Sequence, residues 1–282
     1  MEGDRFLDSL DSDGNVIENT LGSGNGADTV IIAEESTDVL SVGEGAWLLK
    51  AEFVRDGGDL VLIGEDGGKI ILSGFFNLEN PPDLMTPQGG VVSAGLAIKL
   101  AGPEIPHTQV AQASTVTTDA VTDALEPIGR IEVIQGTVEV VRTDGSRVTV
   151  SEGDPIYEGD EVVSAEDGSI GITFIDESTF SLGPDGRMVI DEMVFDASAQ
   201  EGSFSANLLQ GSFSFVSGAI AKSDPDAMTL TTPVATIGIR GTKVVGQVAA
   251  EGEVNTISLL PEEDSEGNIF VGELTVSNAA GV

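Results

Sequence analysis

Short runs of alternating apolar and polar residues, broken by Asp-Gly turns, dominate the chain. Ile170, Ile172 and Phe174 fall on one face at period two. Phe180 and Leu182 follow, then Met188 and Ile190. Period two is strand geometry, because successive side chains of a strand point to opposite faces. Turns such as Thr143-Asp144-Gly145-Ser146 and Glu166-Asp167-Gly168-Ser169 separate the runs. Asp-Gly accommodates the positive φ values of tight hairpins. Runs recur at roughly 8–12-residue spacing, which suggests a sandwich, barrel or roll. Helical periodicity is weak, and Ser114–Leu125 is a poor candidate because Thr and Val are mediocre helix formers. The predicted fold is all-β: a β-sandwich or β-roll of short hairpin-linked strands, with a small N-terminal β unit and a Pro-rich linker.

Four segments follow from the same pattern. Residues 1–35 are acidic and rich in Gly and Asp. Residues 36–80 read as the small β unit. In it Asp59–Ile63 is one strand, Glu65-Asp66-Gly67-Gly68 the turn, and Lys69–Phe76 the return. Trp47, Phe53, Phe75 and Phe76 are its expected core anchors. A lone hairpin is marginal in water, so this unit needs further strands or a partner. Residues 81–127 hold Pro81, Pro82, Pro87, Pro103, Pro106 and Pro127 and read as a linker, with 91–100 able to dock as a strand. Residues 128–280 form the main β domain.

Charge narrows the partners. Of 282 residues, 12 are Lys or Arg and 48 are Asp or Glu, a formal charge of −36. Such a chain repels nucleic acid, where affinity comes from cations on phosphates. Anionic membrane surfaces are disfavoured for the same reason. A hydrophobic fraction of 40% nonetheless supplies a core, unlike chains that stay unfolded. There is no cysteine, which removes disulfides and thiol chemistry. The N-terminus MEGDRFLDSLDSDGN lacks the basic and apolar regions of a secretory signal. The longest apolar-leaning run, Val91–Ala101, contains Lys99 and is far short of the about 20 residues a membrane helix needs. No membrane span is therefore expected, and an export signal is expected elsewhere than at this N-terminus.

At Ile128 the sequence begins to resemble the FecR-type domain, over about residues 128–280. The likeness rests on GRIEVIQGTVEVVRTDG, on VSEGDPIYEGDEVVSAEDGSIGITFIDESTFSLGPDGRMVI, on NLLQGSFSFVSG, and on the box TTPVATIGIRGT at Thr231–Thr242. The resemblance implies a noncatalytic all-β domain of bacterial envelope regulators and large surface proteins. Residues 1–127 are not expected to supply the short anti-sigma helix and membrane span of the namesake regulators. The segment DLVLIGEDGGKIILSGFF resembles the prefix of BapA-type adhesins. Together these imply the N-terminal, envelope-associated or retention region of a large exported biofilm adhesin, secreted by a type I route. The alternative they imply is a periplasmic FecR-like module relaying a signal by protein contact. Expected partners are proteins of the cell envelope or secretion apparatus. The expected location is the cell surface or outside the cell, with the periplasm as the alternative.

Few residues invite chemistry. Asp11, Asp13 and Asn15 precede or follow Gly14 at calcium-loop spacing, but the twelfth position is Thr20 rather than Glu. Ser23–Ile31 is one degenerate copy of a calcium nonapeptide, which needs neighbours to stack on. Calcium is thus expected only as an ion screening the acidic surface, with no metal site and no cofactor. Acid pairs such as Asp154 and Asp160 sit in turns, where 48 carboxylates place them by chance. The single histidine, His107, lies in the linker. No catalytic residues are assigned, and a nonenzymatic role is expected. In the box, Arg240 and Thr242 are the candidate binding positions. Arg240 is also expected to form a buried or semi-buried bidentate pair with a strand-end carboxylate.

Overall fold

The computed structural model describes residues 19–20, 29–33, 38–43, 47–87, 89–103, 126–223, 227–249, 254–263 and 269–277. The acidic segment before Asn19, the helix candidate 114–125, His107 and the calcium-loop positions Asp11 to Asn15 lie outside the described residues. The fold is predominantly β, as the alternation predicts.

The N-terminal body is built on the expected hairpin. Asp59–Ile63 pairs with Lys69–Ser73, placing Leu60 opposite Leu72 and Leu62 opposite Ile70. Gly67 donates to the Gly64 carbonyl, and the Asp66 carboxylate accepts from the Gly68 amide. Strand Glu52–Asp56 flanks the hairpin on one side and Thr29–Ile32 on the other. Phe53 and Phe75 are buried; Trp47 and Phe76 are half-buried. Arg55 lies over the Phe76 ring.

The linker expectation fails over its first part. Asp83–Met85 and Val91–Val92 are strands that join Val39–Ser41 in a small sheet. Of the stretch 91–100, able to dock as a strand, only Val91–Val92 does so, and Ala94–Ala101 is a helix. Ser93 caps it by accepting from the Leu96 amide. Leu96, Ala97 and Ala101 bury on one helical face. Pro81 and Pro82 precede Asp83–Met85, the middle strand of this sheet, and Pro87 follows it, so none of them breaks a ladder. Residues 104–125 of the predicted linker lie outside the described residues.

The larger body is two sheets that share one long strand, Glu201–Val216. Its first half pairs with Arg187–Asp196 and, in parallel, with Met228–Thr231. Its second half pairs with Thr179–Leu182 and Lys243–Val248. The strand changes sheets at Gly211, whose φ is 111°. A side chain there would meet the Gly186 Cα at 2.6 Å. A bend of this kind is how strands turn the corner between packed sheets.

The inner faces of both sheets enclose one apolar core. Ile170, Ile172, Phe174, Phe180, Leu182, Met188 and Ile190 all lie in it. Phe204 stacks on Phe215 with centroids 5.6 Å apart and meets Phe174 edge-on at 5.1 Å.

The two bodies share a core boundary. Met188 and Ile190 face the sandwich core, whereas Val189 between them belongs to the core of the N-terminal body. Leu208 and Leu209 divide in the same way. Alternation along a strand puts neighbours on opposite faces, so the outer face of this sheet is covered as well.

Candidate functional site

The Thr231–Thr242 box runs from the outer face of the sandwich to its far corner. At its start Thr232 closes a tight turn: its hydroxyl accepts from the Ala235 amide at 3.1 Å, and its own amide donates to the Ala235 carbonyl. Pro233 has no amide to donate, but its carbonyl accepts from Val91 of the N-terminal body at 2.8 Å. The turn is thereby tied across the two bodies. Val234 stands at its tip and is 47% exposed.

Beside the turn lies a cleft of about 460 Å³. Its walls are Gly89, Val91, Val92, Ser93 and Leu96 on one side and Asn207 to Leu209 with Thr231 to Thr236 on the other. No charged side chain lines it, although the chain carries −36. An apolar recess with a few convergent polar groups suits an apolar side chain of a partner.

Further along, Ile237 and Ile239 bury in the sandwich core. Arg240 pairs in register with Glu273, and its Nη1 lies 3.3 Å from a Glu273 oxygen. Glu273 is 66% exposed on its side chain, so solvent screens the contact. Of the buried or semi-buried pair expected from sequence, the structure has the half-buried form: Arg240 is partly covered, and the facing carboxylate opens an edge strand, where water reaches it. Thr242 is fully buried; its amide donates to the Ser217 hydroxyl at 2.8 Å. Gly272 packs on the same corner, where a side chain would lie 2.5 Å from the Gly241 carbonyl. Arg240 and Thr242 therefore sit at the closed end of the box, away from the cleft lining.

The buried charges sit elsewhere: Asp160, read from sequence only as a chance turn acid, is among them, and Arg187 was not singled out. Arg187 is 9% exposed and pairs with Glu161. Its Nη1 donates to the carbonyls of Leu49 at 3.1 Å and Ala51 at 2.8 Å, and its guanidinium lies near the Phe53 ring. It is thus a tie from the sandwich into the N-terminal body. Lys99 pairs with Asp191, and Arg147 with Glu52, across the same boundary. A smaller cleft there is lined by Lys99, Arg142, Arg147 and Arg187, four of only twelve cations in the chain. Glu52, Asp144 and Glu161 line the same cleft, so a third of the chain's cations meet carboxylates where the two bodies join.

Arg142 reaches the buried Asp160 and stacks over the Tyr157 ring. Burial pushes the Asp160 carboxyl above its ordinary value, outweighing the Tyr157 amide and Arg142, which pull the other way. In the exposed Asp144 turn, the Ser146 hydroxyl and amide hold the carboxyl low. Among the described residues no group of three or more His, Asp or Glu side chains converges as a metal site. No helix among them is long and apolar enough to cross a membrane.

Residues 160–261 match the family described as "FecR protein". The matched stretch takes in the buried Asp160 and Glu161, the long shared strand and the whole Thr231–Thr242 box. The strands from Gly129 to Ile156 that complete both sheets precede it. No curated protein matches the chain. A solved structure titled "Cell surface anchoring domain" is 32% identical over 22% of this chain and 82% of that one, with a TM-score of 0.22. The likeness of residues 59–76 to an adhesin prefix is carried by the sequence alone.

Proposed function

We propose that this chain is a noncatalytic protein-contact module of the bacterial cell envelope, in which the FecR-type sandwich presents its Thr231–Thr236 turn and the neighbouring cleft to a protein partner. The observation that carries this reading is the placement of the box: the family match contains it, and its first half lines the uncharged cleft at the boundary between the bodies. An envelope location, with the periplasm favoured, rests on that match. The finer reading, a retention region of a type I-secreted adhesin, rests on the prefix-like hairpin and on a strongly acidic, cysteine-free composition.

The test is a photo-reactive residue placed at Val234 in cells producing the full chain, with Val194 as the control. Val194 is 55% exposed and lies away from the cleft. A discrete crosslinked product at 234 but not at 194, recovered in the envelope fraction, is expected. Equal labelling at both positions, no product at either, or recovery in the cytosol overturns the proposal.

A further inference from the structure

The two sheets of the sandwich end differently on their two sides. On one side the terminal strands are Arg147–Thr149 and Pro155–Ile156. Each carries a guard that natural edges use: a charged residue in one, and a proline in a strand of two residues in the other. On the other side the terminal strands are Thr256–Leu260 and Glu273–Ser277. Among the described residues, Thr256–Leu260 pairs only with Lys243–Val248, and Glu273–Ser277 only with Thr236–Arg240.

The strand Thr256–Leu260 reads TISLL, with neither a charge nor a proline. Ile257 and Leu259 pack on the flank of the sandwich core but stay partly exposed, so among the described residues nothing caps the core along this edge. Among the described residues, four of the twelve exposed large apolar side chains, Val254, Ile269, Val271 and Val276, belong to the same stretch of chain. An unguarded edge offers a row of backbone donors and acceptors to an added strand.

Charge selects the occupant. From Val244 to Val282 the sequence holds six Glu and one Asp but no Lys or Arg, and acids flank the uncharged strand on both sides in sequence. A second copy would bring the same carboxylates against these, and like charges facing each other suppress pairing. A segment with cations at its ends meets complementary charge instead. Resting on the protein-contact reading above, we infer that Thr256–Leu260 is a strand-addition site for an extended partner segment with alternating apolar residues flanked by Lys or Arg.

The probe is a fluorescent synthetic peptide of alternating Val and Thr with two Lys at each end, titrated against the full chain and followed by anisotropy. Binding is expected, and Ser258→Lys should weaken it about tenfold, since an edge lysine is the missing guard. Ser258 is exposed, so the melting temperature of this variant should be unchanged. Thr149→Lys, on the guarded side, should leave binding as it is. A central Val→Pro change in the peptide should abolish binding, which tests strand addition without altering the protein. The inference is overturned by absence of binding, by equal binding of a Glu-flanked peptide, by insensitivity to Ser258→Lys, or by self-association of the chain through this edge. Failure here with the Val234 crosslink intact removes only the strand-addition site; failure of both removes the contact reading too.

Discussion

Arg187→Met should loosen the N-terminal body from the sandwich. The guanidinium is almost wholly buried and carries three interactions: the Glu161 carboxylate and the carbonyls of Leu49 and Ala51. Methionine keeps most of the apolar stem but leaves a buried carboxylate without its cation. Breaking one side of a buried pair costs about 3–5 kcal/mol, because the remaining charge stays desolvated. For a chain of this size that is a fall of about 6–20 °C in melting temperature. Trp47, the single tryptophan, lies in the N-terminal body and donates to Asp66, so its fluorescence follows that body directly. Far-ultraviolet circular dichroism follows the strands of both bodies, most of which belong to the sandwich. Both signals should shift together, because Val189 and Leu209 of the sandwich complete the core of the smaller body. Replacing both members, Arg187→Met with Glu161→Met, should recover a large part of the loss, since an apolar pair carries no desolvated charge. Arg187→Lys should not rescue, because a single ammonium cannot span a carboxylate and two carbonyls. A melt of Arg187→Met within about 2 °C of the parent, or a double variant no better than the single one, would refute this account.

Other perturbations test neighbouring parts. Leu209→Ala should cost about 2–5 kcal/mol and shift the Trp47 signal, since Leu209 is buried in the smaller body; an unchanged fluorescence midpoint would contradict that packing. Gly211→Ala should cost at least about 1–3 kcal/mol from backbone strain alone, before its contact with Gly186 is counted; a neutral melt would argue against the sheet-switching bend. Glu273→Gln should change stability by less than about 1 kcal/mol, as its pair with Arg240 is solvent-screened; a loss of several kcal/mol by chemical denaturation would restore a buried pair. In carboxyl-carbon NMR titrations Asp160 should titrate above 3.8 and Asp144 below it; the reverse order would overturn the assignment. The signs follow by linkage: the Asp160 contribution is full at acid pH and lost as pH rises through its raised value, whereas that of Asp144 is present above 3.8 and lost as pH falls.

The inner face of the sandwich was legible because its residues alternate cleanly: Ile170, Ile172, Phe174 and Phe180, Leu182 each obey period two, and one buried face is enough to produce that pattern. The union of the two bodies was harder to read. Its signal is the breakdown of alternation at Met188-Val189-Ile190 and Leu208-Leu209, where apolar residues occupy both phases of a strand. Such runs mark strands covered on both faces. The helix Ala94–Ala101 was hidden by prolines nearby, yet Ser93 as a cap and Leu96, Ala97 and Ala101 on one face were its traces. Arg187 could not be anticipated at all, because Asp-Gly-Arg reads locally as turn chemistry and its partners are more than a hundred residues away at Leu49 and Ala51.

Putting those traces together changes what the charge means. A body with 48 acids repels itself, and its twelve cations cannot neutralise it. Four of them, Lys99, Arg142, Arg147 and Arg187, line one boundary beside Glu52, Asp144 and Glu161. The cleft that the box lines lies along the same boundary, with Val91 bonded to Pro233 across it. Anything that weakens the Arg187 tie should therefore alter the cleft, even though Arg187 does not line it. In Arg187→Met, crosslinking from Val234 should fall while the β signal of the sandwich persists below its melting point. Undiminished crosslinking in that variant would mean that the turn binds without the N-terminal body, and that the boundary serves stability alone.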